Sequence, residues 1–260
     1  MTRFIATLLV SCAVVFPALQ VQAQAQRDPQ ALALAKASVQ ALVGSTPLTD
    51  ATLQGTANFT AGSDEETGTF RLEIKGNQES KIMLNLSGGT RQEIRQLQTG
   101  VWIGTDGQKH PMALHNCWVD ASTLFPAFSL WAALNNTQIS AVYLGQGSLG
   151  GVTVDHLQLS LIVTPQGQNM NVEIQALSAM DVYLDAASHL PVALAINIHP
   201  DNDMGLNIPV QIQFSGYQQM GGITVPTRIQ KLLQGTLTLD FTVGSVAVNS
   251  GIPDSEFSTQ

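Results

Sequence analysis

Apolar and polar residues alternate with a period of two over most of the chain, and this alternation restricts the fold more than any other feature. In residues 206–214 and 237–243 every second residue is apolar, and its neighbours are mostly polar. Successive side chains of a strand point to opposite faces, so the pattern predicts antiparallel strands with one buried face. The sequence therefore predicts a mainly β protein with about a dozen strands.

Long strands with one apolar face either pair two sheets into a sandwich or curl one sheet round a cavity. The alternation by itself leaves both arrangements open. A strongly apolar helical segment in the middle of the chain favours the second, because such a helix can cover the concave face of a curled sheet. The expected fold is α+β, with a single curled antiparallel sheet that forms an incomplete β-barrel. The acidic stretch 62–66, which includes Glu65 and Glu66, is predicted to be a solvated hairpin tip.

Two segments are predicted to be helical. The first follows Asp28 and Pro29, a capping residue and a residue favoured at the first helical position, and it ends at Gly44. The second lies within residues 112–135, where Asp120 or Ser122 could cap a helix that is apolar on nearly all sides. A segment this apolar is either buried in the core or forms a lid over an apolar cavity.

Residues 1–25 have the layout of a secretory signal peptide. Arg3 precedes an apolar run that is broken by Pro17, and small residues before Gln24 and Gln26 offer two cleavage sites. The run is too interrupted for a transmembrane span. We therefore expect export to the periplasm and one domain over residues 26–260. The alternative to ordinary signal-peptide cleavage is cleavage before Cys12 and attachment of a lipid to this cysteine, as in bacterial lipoproteins.

The net charge of −8 makes nucleic acid a poor partner for this chain. Removal of the leader takes away both Arg3 and Cys12, so Cys117 stays as a lone cysteine, for which a buried structural thiol is the expected role.

The sequence lacks the linear motifs of common catalytic and metal sites. It has no HExxH zinc motif and no phosphate-binding loop, and Ser148 lies in a sequence with Gln146 where a nucleophile elbow requires glycine. His110 and His115 are predicted to be loop residues. We therefore predict no catalytic residue, no metal and no cofactor, and a protein that is not an enzyme.

The order of the predicted elements, together with three stretches, resembles the lipoprotein-localisation (LolA/LolB-like) superfamily of periplasmic carriers and outer-membrane receptors. The three stretches are 68–75 with 100–107, 182–185 with 190–192, and 208–217 continuing through 221–226 to 248. The chain departs from the carrier's pattern at Lys75 and Gly76, where the carrier has an Arg-Pro pair after its second strand.

The resemblance implies an incomplete barrel whose apolar concave face, closed by helices, receives acyl chains. It implies that a lipid or lipoprotein acyl chain is the ligand, and that an envelope protein is a possible partner. The alternative is a structural or protein-interaction module of the envelope with a packed core. The residues expected to line the cavity are Phe70, Leu72, Ile74, Ile82, Leu84, Trp102, Phe125, Phe128 and Trp131.

Overall fold

The computed structural model describes residues 26–163 and 168–260. The predicted signal peptide and Cys12 lie outside the described residues. The described part of the chain contains three α-helices, which are α1 (Pro29–Val43), α2 (Ala127–Asn135) and α3 (Gln168–Leu177). Its strands are β1 (Asp50–Ala61), β2 (Asp64–Lys75), β3 (Glu79–Leu86), β4 (Gly89–Gln96), β5 (Thr99–Ile103), β6 (Lys109–Pro111), β7 (Ile139–Leu149), β8 (Val152–Leu161), β9 (Met180–Asp185), β10 (Pro191–Ile198), β11 (Ile208–Met220), β12 (Ile223–Leu233) and β13 (Thr236–Val248).

The thirteen strands form one antiparallel sheet in the order β6-β5-β4-β3-β2-β1-β13-β12-β11-β10-β9-β8-β7. The first and last strands of this order do not pair, so the sheet is curled but not closed into a barrel. The predicted single curled sheet is thus confirmed, and the sandwich is not observed. The inward-facing residues of β1, β2 and β9–β13 join those of α1 and α2 in one continuous apolar core, which fills much of the concave side.

A β-bulge in β1 shows why one glycine is required in this sheet. The register between β1 and β13 shifts between Gln54 and Gly55. A Cβ atom at Gly55 would lie only 1.9 Å from the carbonyl oxygen of Thr242. The two backbones can therefore approach this closely only because residue 55 has no side chain.

Helix α1 begins and ends where the sequence predicts. The side chain of Asp28 accepts a hydrogen bond from the backbone N–H of Gln30, Pro29 is the first helical residue, and Gly44 ends the helix with a φ of 59°. Its buried face includes Ala35, Val39 and Leu42. This face packs against α2 and towards β7 and β12.

The second helical segment differs from the prediction at its start. Helix α2 begins only after Pro126, and no side chain caps it. Proline disfavours helical conformation in the residue before it, so the chain cannot continue a helix from Ser122 through residue 125. The carboxylate of Asp120 instead accepts hydrogen bonds from the backbone N–H and the hydroxyl of Ser122.

The C-terminus of α2 is held by Arg27, a role that no pattern in the sequence predicts. The guanidinium of Arg27 donates hydrogen bonds to the carbonyl oxygens of Ala133, Leu134, Asn136 and Ile139, at 2.8 to 3.2 Å. These carbonyls have no partner within the helix, and a cation here also offsets the negative end of the helix dipole. Arg27 therefore fixes α2 on the concave side of the sheet.

Two further sequence predictions need correction. Helix α3 was not predicted, because its sequence is mostly polar and contributes only Ile174 and Leu177 as buried apolar residues. Glu65 and Glu66 do not lie in a loop but in β2, and only Gly62 and Ser63 form the turn. Glu66 is paired with Phe59 in the register of β1 and β2, and its carboxylate forms an ion pair with Arg91 of β4.

A second, smaller core lies on the opposite face of β4 and β5. Ile94 and Val101 pack there against Ile252 and Phe257 of the C-terminal segment. Lys75 and Lys81 form ion pairs with Asp254 and Glu256 of the same segment. The odd-numbered residues of β4 consequently face the concave side of the sheet, and Ile94 faces away from it.

Candidate ligand-binding cavity

A cavity of about 500 Å³ lies on the concave side of the sheet. Strands β2–β5 form one wall and β10–β13 form the other, and the segment between β6 and α2 covers it. We call residues 112–124 the cover segment. The volume of the cavity falls within the range of roughly 300–1,000 Å³ that is common for small-molecule sites. The apolar lining residues are Phe59, Leu72, Ile82, Leu84, Trp102, Ile103, Met112, Val119, Ala121, Leu124, Ile196, Ile198, Val210, Ile212 and Leu239.

The strand registers explain why these side chains meet. Leu72 pairs with Ile82 across β2 and β3, Ile82 with Glu93, and Glu93 with Trp102, so the four side chains form one row on the concave face. On the other wall Lys231 pairs with both Ile212 and Leu239. Directly opposed residues of antiparallel strands share a face, so each row presents its side chains to the cavity.

The cavity has a buried floor and an open rim. Leu72, Val210 and Ile212 are almost fully buried at the floor, whereas Ile82 is half-buried. Trp102 is 47 % exposed and stacks on the ring of His110, with the ring centres 3.9 Å apart. His110 therefore lies in β6 against an aromatic ring of the rim, and not in a loop as predicted.

The structure brings four of the nine predicted site residues to this cavity: Leu72, Ile82, Leu84 and Trp102. Four others, Phe70, Ile74, Phe125 and Phe128, are buried in the continuous core. Phe70 packs on Phe241, and Phe125 packs edge-on against Phe128. Trp131 is 43 % exposed on α2. A direct ligand contact for any of the nine residues stays a prediction.

Arg95 holds the cover segment over the cavity. It lies on β4, is buried, and its guanidinium donates hydrogen bonds to the carbonyl oxygens of Asn116, Val119 and Asp120. A cation that donates to several carbonyls of one segment fixes the path of that segment. The cover is therefore attached to the sheet by a side chain that lines the cavity itself.

A polar contact holds the cover segment to the loop between β10 and β11. The side-chain amide of Asn116 donates to the carbonyl oxygen of His199 at 2.7 Å and accepts from its backbone N–H at 2.9 Å. The ring of His199 is buried, and this burial lowers its pKa below 6.5, against the opposite effect of a hydrogen bond to Leu206. The imidazole is thus held in its neutral form at neutral pH.

Among the described residues, four ionisable side chains line the cavity: Arg91, Glu93, Arg95 and Lys231. Arg91 forms a two-pronged ion pair with Glu66, with N–O distances of 2.8 and 2.6 Å, and lies over the ring of Phe59. These hydrogen bonds lower the pKa of Glu66. Glu93 lies between Arg91 and Arg95 on the same face of β4, so cationic neighbours flank it on both sides.

A second cavity, of about 430 Å³, lies on the other side of the cover segment and is lined by residues of the β4–β5 turn, β8 and the start of β9. Val119 and Ala121 line both cavities and separate them. Cys117 is a buried free thiol here, and burial raises its pKa, so it is not an activated nucleophile. Burial likewise raises the pKa of Asp120.

Within residues 26–163 and 168–260, no group of three or more histidine, cysteine or acidic side chains is placed to hold a metal ion. No helix of this part of the chain has the length and hydrophobicity needed to cross a membrane.

Sequence reasoning missed the second wall and all four charged residues of the cavity. The signal for Lys231 was present, because Ile223, Val225 and Ile229 define the inward face of β12 and Lys231 continues their spacing of two. The alternation of β11 also predicted Val210 and Ile212 as inward-facing residues. What the sequence did not show is that β11 and β12 lie across from β3 and β4.

No protein-family model matches this sequence, and no curated protein sequence does. The fold is similar to that of three solved structures. A LolA superfamily protein from Nitrosomonas europaea is 14 % identical, with 88 % of this chain and 97 % of that chain covered and a TM-score of 0.56. An outer membrane lipoprotein-sorting protein domain from Vibrio parahaemolyticus is 12 % identical, with 87 % and 95 % covered and a TM-score of 0.53.

A DUF1329 family protein from Desulfovibrio piger is 12 % identical, with 90 % of this chain and 98 % of that chain covered and a TM-score of 0.53. Identities this low show the fold and nothing finer. The chain has the LolA-like fold, as the resemblance in the sequence predicted.

Proposed function

We propose that this protein is a non-enzymatic binder or carrier of an apolar ligand, a lipid or a lipoprotein acyl chain, in the bacterial cell envelope. The observation that carries the proposal is the cavity of about 500 Å³ on the concave face, with apolar side chains on both walls. A sheet that served only as a structural module would gain stability by filling this space, because empty apolar space lacks dispersion contacts. The LolA-like fold supports the same reading.

Binding would be driven by burial of the acyl chain against the apolar walls. Each methylene group removed from water contributes about 0.8 kcal/mol, which is about a fourfold gain in affinity. Specific polar contacts are not needed for this part of the binding energy. The ligand's chain would lie along Leu72, Ile82 and Leu84 on one wall and Val210 and Ile212 on the other.

The proposal places the protein outside the cytoplasm. Residues 1–25 would act as a signal peptide, and residues 26–260 would form one LolA-like domain in the periplasm. Intact-mass spectrometry of protein isolated from the periplasm tests both points, since it gives the N-terminus, any lipid on Cys12 and any ligand that has remained bound.

Displacement of a fluorescent fatty acid by unlabelled fatty acids of increasing length tests the function. We expect the affinity to rise about fourfold per methylene until the chain outgrows the cavity. Ile82→Glu, which places a charge in the cavity wall, should weaken binding at least about tenfold. Val172→Glu is the matched control, because Val172 is 67 % exposed on α3 and does not line the cavity.

Affinity that does not depend on chain length, or equal binding by the Ile82 and Val172 variants, would contradict the proposal. If the processed protein also retained an envelope protein and no small ligand, the alternative of a protein-interaction module would replace it.

A further inference from the structure

The charges of the cavity are opposite in sign to those of the chain as a whole. The chain has 11 lysines and arginines against 19 aspartates and glutamates. Three of the four ionisable side chains that line the cavity are nevertheless cations, and Glu93 is the only anion among them. An acidic protein therefore has three cationic side chains on the wall of a mostly apolar cavity.

Two of the three cations already have partners within the fold. Arg91 is held by the carboxylate of Glu66. Arg95 donates to three carbonyl oxygens of the cover segment. These two side chains have structural roles, and Glu93 lies between them on β4.

Lys231 is different, because its ammonium group has neither an ion pair nor a hydrogen bond among the described residues. It lies on the inward face of β12, directly between Ile212 and Leu239. The same strand pairs its outward-facing cation, Arg228, with Asp240 of β13. In the part of the chain that the structure describes, no equivalent carboxylate is paired with Lys231 on the inward face.

We propose that Lys231 binds the anionic head group of an amphiphilic ligand whose acyl chain lies against the apolar walls. This inference rests on the proposed function and adds the chemical class of the ligand. An ammonium group beside apolar side chains attracts an anion more strongly than one in bulk water, because those side chains lower the effective dielectric constant. Lys231 is a half-buried residue between Ile212 and Leu239. Lysine is a common ligand for phosphate and carboxylate oxygens, and it acts as a point charge.

The position of Lys231 also determines where the head group would lie relative to the acyl chain of the ligand. Leu239 pairs with Phe59 on β1, and the ring of Phe59 lies under the guanidinium of Arg91. Lys231 and Arg91 therefore lie on opposite sides of Leu239 and Phe59. An oxyanion bound at Lys231 would leave Leu72 and Ile82 available to the acyl chain of the ligand.

Competition among ligands of equal chain length tests the inference. Palmitate carries a carboxylate, palmitoyl lysophosphatidylglycerol carries a phosphate, and monopalmitoylglycerol is uncharged. Each would displace a fluorescent fatty acid from the processed protein, its Lys231→Met and Lys231→Arg variants, and the control Lys36→Met. Lys36 is exposed on α1, so the control removes the same charge far from the cavity wall.

We expect Lys231→Met to weaken binding of at least one anionic ligand about tenfold or more and to change binding of monopalmitoylglycerol less than about twofold. Lys231→Arg should restore most of the anion affinity, and Lys36→Met should have no effect. A loss for palmitate alone assigns a carboxylate head, and a loss for lysophosphatidylglycerol assigns a phosphate head.

Two outcomes would overturn the inference and are distinguishable from failure of the proposed function. If all three ligands bind and Lys231→Met affects them equally or not at all, the carrier function stands and the head-group site does not. If none of the three binds to the wild-type protein, the proposed function fails as well. Unchanged binding of the neutral ligand shows that the Lys231→Met variant is folded.

Discussion

The concave face of the sheet has two parts that share the same alternation of apolar residues but differ in what covers them. One part, which we call the packed half, is filled by α1 and α2 and includes Ile74 of β2 and Phe128 of α2, both almost fully buried. The other, the cavity half, carries Ile82 of β3 and has only the cover segment above it. Both halves follow the same alternation of apolar residues. The comparison shows that the helices decide which apolar side chains form a core and which face open space.

The covers of the two halves are also held differently. Helix α2 is held over the packed half by apolar contacts and by Arg27 at its C-terminus. The cover segment is held over the cavity by hydrogen bonds from Arg95 and between Asn116 and His199. Hydrogen bonds contribute less net stability than a buried apolar face and can be broken with less repacking. We therefore expect the cavity half to open more readily than the packed half.

The largest expected effect comes from the same truncation in the two halves. Ile74→Ala should lower the free energy of unfolding by about 2–5 kcal/mol, because it leaves a void in a closed core. Ile82→Ala should lower it by only about 1 kcal/mol, since Ile82 already borders empty space. Urea denaturation of both variants measures the difference. Equal losses at the two positions would remove the distinction between the halves.

Removal of the guanidinium that caps α2 should have the next largest effect. Arg27→Met keeps an apolar stem but leaves the carbonyls of the last turn of α2 without their donor, which we expect to cost about 1.5–3 kcal/mol. Lys36→Met on the exposed face of α1 is the control for loss of charge. Hydrogen exchange should quicken in α2 and not in β3. Uniform quickening over the whole sheet would contradict a local role for Arg27.

Replacement of the same two isoleucines with a larger residue tests whether each half has room for additional atoms. Ile74→Phe should destabilise the protein by about 1–3 kcal/mol, because the packed half has no room for the added atoms. Ile82→Phe should cost less than about 1 kcal/mol, yet it should weaken fatty-acid binding, since the ring occupies part of the cavity. Calorimetry and ligand displacement on both variants give the two readouts. Retained binding by a folded Ile82→Phe variant would count against this cavity as the binding site.

The smallest expected effect is a dependence of the cavity cover on pH. The pKa of His199 is lowered below 6.5 in the folded protein, chiefly by burial, with His115 lowering it further and Asp203 opposing the shift. The unfolded chain therefore binds a proton more readily than the folded one once the pH falls below about 6.5. The free energy of unfolding should decrease from that pH downwards and level off below the folded-state pKa.

Hydrogen exchange at pH 7 and pH 5 locates this effect. Protection factors, which are corrected for the pH dependence of intrinsic exchange, should be lower at pH 5 in the cover segment and in the loop between β10 and β11, and those of α1 should not change. His199→Asn removes the titrating group and should reduce the pH dependence of the free energy of unfolding by the part that His199 contributes. An unchanged slope in that variant would assign the dependence to other groups.

Particular residues show how far the sequence alone reaches. The alternation in β2, β3, β11 and β13 and the cap at Asp28 were sufficient to predict the strands and the first helix, whereas the choice of a single curled sheet also needed the apolar helical segment. Leu72, Ile82, Leu84 and Trp102 line the cavity, and a ligand contact for them stays a prediction. Phe70 and Ile74 follow the same alternation as Leu72, and Phe125 and Phe128 belong to the predicted apolar helical segment, yet all four lie in the packed half.

The sequence by itself determined which side of each strand is apolar, because a strand's period of two is a local property of the backbone. Only the tertiary structure decided which of those apolar residues border empty space. That depends on where α1, α2 and the cover segment lie, and Arg27 and Arg95 fix two of these positions through carbonyl groups 21 to more than 100 residues away in sequence. The periodicity of a sequence reports local structure and carries no information about contacts between residues this far apart. For the same reason Lys231 could be recognised as inward-facing from its spacing, while its lack of a partner became visible only once the opposite wall was in place.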